Sequence, residues 1–315
     1  MSKKPPNDLL FLTSKKVLLL WLCGLFTALV HASPCVSCPT AQDPIRIPLK
    51  RVGNLFFIEA QIDDVVGNFV LDLGAPYLVL NSTYFRKYRV DESHSSGTLL
   101  SENDHVKRTW VKRFRLAGIS YKNLEADVTD LSQIENRKRL KILGLLGVGI
   151  FKRYVLDLDV INKQLVLWPD RNEVAIDSKL LFDLPIQVNN NVLSVVAKSG
   201  KVTLKLSLDT GAETNILDNK LSNRVYKGMK ILGTSVITDG NGSNTEVLRV
   251  VLGGLSIDGH LLKRMRTLVI NLESISRAYG RKIDGMLGYP FFSSGRVLID
   301  FRKKRLAVYQ YKKRE

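Results

Sequence analysis

Cysteine and histidine are scarce in this chain, and the scarcity excludes several chemistries. Three cysteines in 315 residues, Cys23, Cys35 and Cys38, cannot build a disulfide scaffold of this length. The four histidines, His31, His94, His105 and His260, are scattered. Neither an HExxH nor a paired CxxC spacing occurs, which removes the usual zinc sites. There is no GxSxG, so the common nucleophile-elbow hydrolases are excluded, and no phosphate-binding loop of the GxxxxGKS or GxxxxGKT kind. Gly147-Val148-Gly149 starts like a dinucleotide loop, but Lys152 stands where its third glycine should be. Carboxylates remain as the residues able to carry chemistry.

The composition is that of a folded protein. Hydrophobic residues make up 45% and charged residues 24%, and the length suits roughly two domains of ~150 residues. Lys3, Lys4, Lys15 and Lys16 precede or flank an apolar run of 14 residues, Val17–Val30. That run is long enough for a signal-peptide core and short of the ~20 residues of a membrane span. Val30-His31-Ala32 follows, so residues 1–32 read as a signal peptide and the mature chain as exported to a periplasm, envelope or medium. An uncleaved N-terminal anchor is the alternative.

The mature chain would carry 43 basic and 29 acidic residues. The basic residues fall in short clusters, such as Lys112-Arg113 with Arg115, Arg137-Lys138-Arg139, and Arg302 to Arg305. They lack interleaved aromatics in a recognisable motif, so nucleic acid is not expected as a partner. A solvated basic surface, with contact to anionic lipid headgroups, is the reading they suit. Cys35 and Cys38 lie in a proline-containing leader rather than after a strand of a βαβ unit. They read as a local disulfide or as two idle thiols.

The sequence repeats itself. Leu55-Phe56-Phe57-Ile58 recurs as Val192-Leu193-Ser194-Val195, and Phe69-Val70-Leu71-Asp72-Leu73-Gly74-Ala75 as Leu206-Ser207-Leu208-Asp209-Thr210-Gly211-Ala212, both at an offset of 137. Leu116-Ala117-Gly118-Ile119-Ser120 recurs as Leu252-Gly253-Gly254-Leu255-Ser256 at 136, and Gly144-Leu145-Leu146-Gly147 as Gly285-Met286-Leu287-Gly288 at 141. The order implies a duplicated unit: a leader over 33–44, a first lobe over 45–170, a linker over 171–183, a second lobe over 184–311 and a basic tail over 312–315. Each copy reads as all-β: short runs rich in Val, Ile, Leu and Phe, punctuated by Gly-Asn, Asp-Gly and Asn-Gly turn signals. Helical periodicity appears only around Ser82–Tyr88 and Leu272–Tyr279.

The most polar event in each repeat is an aspartate at the end of an apolar strand. A carboxylate so flanked is costly unless it is hydrogen-bonded or shares a proton. Gly74 and Gly211, two residues on, permit a tight turn and close backbone approach, and Ala75 and Ala212 keep the turn small. A lone Asp-x-Gly is usually an Asx turn. Two at equivalent repeat positions point to a paired site across a pseudo-two-fold axis. Asp159 and Asp300 also repeat, but each precedes a polar stretch and reads as a hairpin residue.

Asp209-Thr210-Gly211-Ala212, preceded by Leu206-Ser207-Leu208 and followed by Asn215-Ile216-Leu217, resembles the active-site signature of retropepsin-like and pepsin-like aspartic proteases. Met286-Leu287-Gly288 resembles the second signature of each lobe, which in that family crosses beside the catalytic loop. Asp72-Leu73-Gly74-Ala75 and Leu145-Leu146-Gly147 fill the same places in the first lobe. The resemblance covers about 45–311. It implies a bilobal double β-barrel with pseudo-two-fold symmetry, two fused lobes in one monomeric chain, and Asp72 and Asp209 as a catalytic pair that hydrolyses peptide or protein substrates. It implies loop support from Gly74, Ala75, Thr210, Gly211, Ala212, Gly147 and Gly288, with no metal and no organic cofactor. It also implies a flap hairpin over the cleft, for which Ser95-Ser96-Gly97 and Asp239-Gly240-Asn241-Gly242 are candidate tips. One residue departs from the family. A Thr or Ser follows the aspartate there and its hydroxyl bonds to the other lobe's backbone; Thr210 conforms and Leu73 cannot. The alternative function is therefore a catalytically impaired member of the fold that binds extended peptides or a partner in its cleft.

Overall fold

The computed structural model describes residues 43–88, 107–169, 174–227, 229–238 and 244–311. The expected signal peptide, Cys35 and Cys38, both candidate flap tips and the basic tail lie outside the described residues. The described residues are mainly β with short helices, arranged in three sheets. Its strands follow the apolar runs. Leu55–Ile62 buries nearly all its side chains and pairs with Val65–Leu71 to form a hairpin. The second half repeats this with Val192–Ser199 and Val202–Leu208. One continuous apolar core, including Phe69, Leu71, Leu73, Phe114 and Phe151 as well as Leu206, Leu208, Phe291 and Phe292, runs through both lobes.

Each lobe has the same crossing at its centre. In the first, Ile142–Leu146 lies between Val65–Leu71 and Leu78–Asn81, parallel to the former and antiparallel to the latter. In the second, Gly285–Leu287 lies likewise between Val202–Leu208 and Asn215–Asp218. The chain joining the outer strands must therefore arch past the end of the middle strand. Each arch carries one of the paired aspartates.

A six-stranded antiparallel sheet holds the two lobes together. It runs, in order, Ile45–Pro48, Gln164–Pro169, Tyr154–Asp159, Arg296–Asp300, Arg305–Tyr309 and Leu180–Pro185: three strands from each half. The segment that joins the halves thus enters this sheet at Leu180. At the junction Leu158 pairs with Val297, Asp157 with Leu298, and Leu156 with Ile299. Asp157 and Leu298 are also equivalent residues in the repeat, so the pseudo-two-fold axis passes through their pairing. Asp157 is fully buried there and accepts from Arg296 Nε at 2.7 Å and Nη2 at 2.6 Å and from the Trp168 indole N–H at 3.1 Å.

Asp159 and Asp300 behave as turn residues. Asp159 accepts from the Asn162 N–H at 3.1 Å and Asp300 from the Lys303 N–H at 2.8 Å. Of the two expected helices, Leu272–Tyr279 contains Glu273–Ala278. Ser82–Tyr88 is not helical. The Asn81 carbonyl accepts from both the Tyr84 and Phe85 N–H, and its side-chain oxygen takes the Thr83 N–H at 3.2 Å. That local bonding competes with helix propagation and leaves consecutive turns. Asn81 also donates to the Ile142 carbonyl and to Glu135, on a helix over Ser132–Lys138 that the periodicity did not announce.

Candidate active site

The two arches meet at the lobe interface and bring Asp72 and Asp209 together. Each aspartate is held by its own lobe's crossing strand: the Asp72 N–H donates to the Leu146 carbonyl and the Asp209 N–H to the Leu287 carbonyl, both at 3.0 Å. The side chains are held by the turns that follow. Asp72 Oδ1 accepts from the Gly74 N–H at 2.9 Å and the Ala75 N–H at 3.2 Å. Asp209 Oδ1 accepts from the Gly211 N–H at 2.7 Å, and its carbonyl from the Ala212 N–H at 3.4 Å.

The glycines are where the two loops touch. A Cβ on Gly74 would stand 2.5 Å from the Asp209 carboxyl carbon, and one on Gly211 would stand 2.7 Å from that of Asp72. Each carboxyl group therefore rests against the other loop's glycine. Gly147 and Gly288 are needed for a second reason. A Cβ on Gly147 would lie 2.1 Å from the Tyr77 carbonyl oxygen, and one on Gly288 would lie 2.5 Å from those of Ala212 and Thr214. The middle strand can pass under the arch only without a side chain there.

Thr210 makes the inter-lobe bond that the resemblance implies. Its hydroxyl donates to the Leu71 carbonyl at 2.7 Å and accepts from the Leu73 N–H at 2.9 Å. Leu73 has no hydroxyl to return and is wholly buried in the core instead. The arrangement is one-sided: the first loop is gripped by the second lobe's threonine, and the second loop receives no matching bond.

The electrostatics are those of a carboxyl pair in a dry place. Burial raises Asp72 above the ordinary value of 3.8, while its hydrogen bonds with Asp209 and with the Gly74 and Ala75 amides pull it back. Asp209, only 4% exposed, is raised well above 3.8, first by burial and then by the negative charge of Asp72 and the bond to it. Two like charges this close cannot both ionise readily, so one proton is shared. Asp209 is the more deeply buried of the two, so ionisation falls more readily to the half-buried Asp72 at the cleft.

The cleft has a volume of about 590 Å³. Its apolar lining repeats across the axis: Val79 and Ile216, Ile134 and Ile275, and Leu145 and Met286 are equivalent positions. Among the described residues no group of three or more His, Cys, Asp or Glu side chains is placed to hold a metal ion.

The aspartyl protease family model matches residues 58–150 and again 194–291. Each match holds one aspartate loop and one crossing glycine. The chain belongs to the aspartyl protease family. No curated protein matches it. Among solved structures it is similar to Basic 7S globulin from soybean, with a TM-score of 0.49 and 10% identity over 86% of this chain and 96% of that one.

Family motifs did not reveal two arms that reach from one lobe to the other's aspartate loop. Tyr279, at the end of helix Glu273–Ala278, donates its hydroxyl to the Gly74 carbonyl at 2.9 Å. Burial, then the charges of Asp209 and Asp72, hold that phenol well above 10, so it stays a donor. Lys138, at the end of helix Ser132–Lys138, meets Glu213 at 2.6 Å. Lys138 and Tyr279 are equivalent positions in the repeat. They carry unlike residues, so comparing the two copies for identity passes over both.

Proposed function

We propose that the chain is an exported aspartic endopeptidase that hydrolyses peptide bonds with a water activated between Asp72 and Asp209. The observation that carries this reading is the pair itself: two buried carboxyl groups from opposite lobes, each seated on the other's glycine. The ionised Asp72 takes a proton from the water, whose oxygen forms a bond to the scissile carbonyl carbon. Asp209 donates its proton to the carbonyl oxygen as charge develops there. As the resulting diol collapses, Asp209 takes back the proton of one hydroxyl, the C–N bond breaks, and the proton held by Asp72 leaves with the amine, which returns the pair to its starting state. The matched apolar walls suit an extended peptide with apolar side chains on both sides of the scissile bond.

The test is a peptide-library digest with the mature chain from acid to neutral pH, read by product masses. Activity needs Asp72 ionised and Asp209 protonated, and both are raised. The rate profile should therefore be bell-shaped, with its acid limb above pH 3.8 and its alkaline limb set by Asp209. The second reading, a peptide-binding protein without turnover, is favoured by Leu73. It prevails if library peptides bind the cleft and none is cut at any pH.

Export is part of the same proposal. Native protein recovered from an envelope or medium fraction should begin near Ser33 when sequenced from its N-terminus. An intact Met1 in a cytosolic fraction would count against it.

A further inference from the structure

We infer that Glu213, held by Asn54 and Lys138 of the opposite lobe, is the positioning residue that replaces the hydroxyl missing at Leu73. The inference rests on the peptidase reading for its rate consequences but not for its geometry. The aspartate loop that lacks a hydroxyl bond from across the interface is the second, Asp209–Ala212. Glu213 is the next residue on that loop. Its Oε1 takes the Lys138 ammonium at 2.6 Å, its Oε2 takes the Asn54 N–H at 3.2 Å, and its backbone carbonyl takes the Asn54 side-chain amide at 3.0 Å. All three donors belong to the first lobe. The Lys138 side chain is only 11% exposed and the Glu213 side chain 39%, so the lysine end of this ion pair is shielded from water while the carboxylate end stays partly open. Gly53, at φ +62°, lets the turn approach: a Cβ there would meet both Glu213 Oε2 and Lys138 Nζ at 3.0 Å.

The repeat supplies the control. In the first loop, which does receive a hydroxyl from Thr210, the position equivalent to Glu213 is Pro76, which offers no carboxylate. Lys138 is matched by Tyr279, which ties the first loop at Gly74 instead. The carboxylate clamp thus sits on the loop that lost its grip and is missing from the loop that kept it. Its mechanical role is to press Asp209 against Asp72. Loosening it should let the two carboxyls separate and relax Asp209 toward an ordinary aspartate.

The experiment uses the mature chain with Glu213→Gln, Lys138→Met, and each combined with Leu73→Thr. Both single variants should lower kcat at least tenfold with KM changed less than twofold. Both should also move the alkaline limb of the rate profile, and the ¹³C carboxyl titration of Asp209, to lower pH. A variant that is merely less stable would not shift that titration while folded. Leu73→Thr should recover at least threefold of the loss in either background and give no gain in the wild-type chain. The inference is overturned if neither clamp variant moves the Asp209 titration, or if a folded Leu73→Thr chain shows no recovery. Lys138→Met leaves both Asn54 bonds in place, so it decides the matter if Glu213→Gln fails to fold. If the wild-type chain cuts no peptide, the peptidase reading fails by itself and the titration alone judges the clamp.

Discussion

Asp72→Asn and Asp209→Asn should each abolish the proposed cleavage, with kcat falling by about 10⁴-fold or more, and the double variant should be no worse than either single one. A shared proton needs both carboxyls, and residues that act as a unit are non-additive. The measurement is kcat/KM for the best peptide from the library. Undiminished cleavage by Asp72→Asn would make that residue a relic. Asp209→Asn carries a second, opposite effect. The folded state holds Asp209 well above 3.8, so folding favours its protonated form. That contribution is fully present below pH 3.8 and is lost as pH rises through the folded value. Removing the ionisable group therefore leaves stability near pH 3 unchanged and raises it at pH 7, within the ~0.5–2 kcal/mol usual for a stabilising substitution. Denaturant unfolding at the two pH values checks the sign.

Thr210→Val lowers both stability and turnover. The substitution keeps the shape and deletes the hydroxyl, stranding the Leu71 carbonyl and the Leu73 N–H at the centre of the molecule. Each buried orphan costs roughly 1–3 kcal/mol, so the loss is about 2–6 kcal/mol, or on the order of 10 °C in Tm for a chain of this size. Thr210→Ser, which restores a hydroxyl at the same place, should regain most of it. A calorimetric Tm for Thr210→Val within 2 °C of wild type would mean that the hydroxyl is dispensable. That outcome would leave the Glu213 clamp as the main tie between the loops.

The fold was legible in the sequence because duplication writes every constraint twice. Aspartate and glycine recur behind matched apolar strands, and the second glycine recurs where the middle strand passes under the arch. Close contact enforces the glycines, against the opposite carboxyl group at Gly74 and Gly211 and against backbone carbonyls at Gly147 and Gly288. The pairing of Asp72 with Asp209 followed for the same reason. Asn54, Lys138, Glu213 and Tyr279 were not legible. They act through contacts between lobes, where each partner is more than 70 residues away in sequence; Lys138, Glu213 and Tyr279 break the repeat rather than obey it, whereas Asn54 recurs as Asn191. The turn at Ser82–Tyr88 escaped notice because helical spacing says nothing of a side chain, here Asn81, that captures the backbone donors first.

The junction of the central sheet has a consequence for the history of the chain. The residues that face each other on the axis, Asp157 and Leu298, are unlike, and Arg296 crosses the boundary to neutralise the aspartate. Two copies of the first half docked in this way would bring two buried carboxylates together with no guanidinium between them. Two copies of the second half would leave Arg296, whose side chain is 24% exposed, without its carboxylate acceptor. Burying unpaired charge costs several kcal/mol, so each half has become a key cut for the other alone. The two halves are therefore not interchangeable at this junction, although the strands around it repeat.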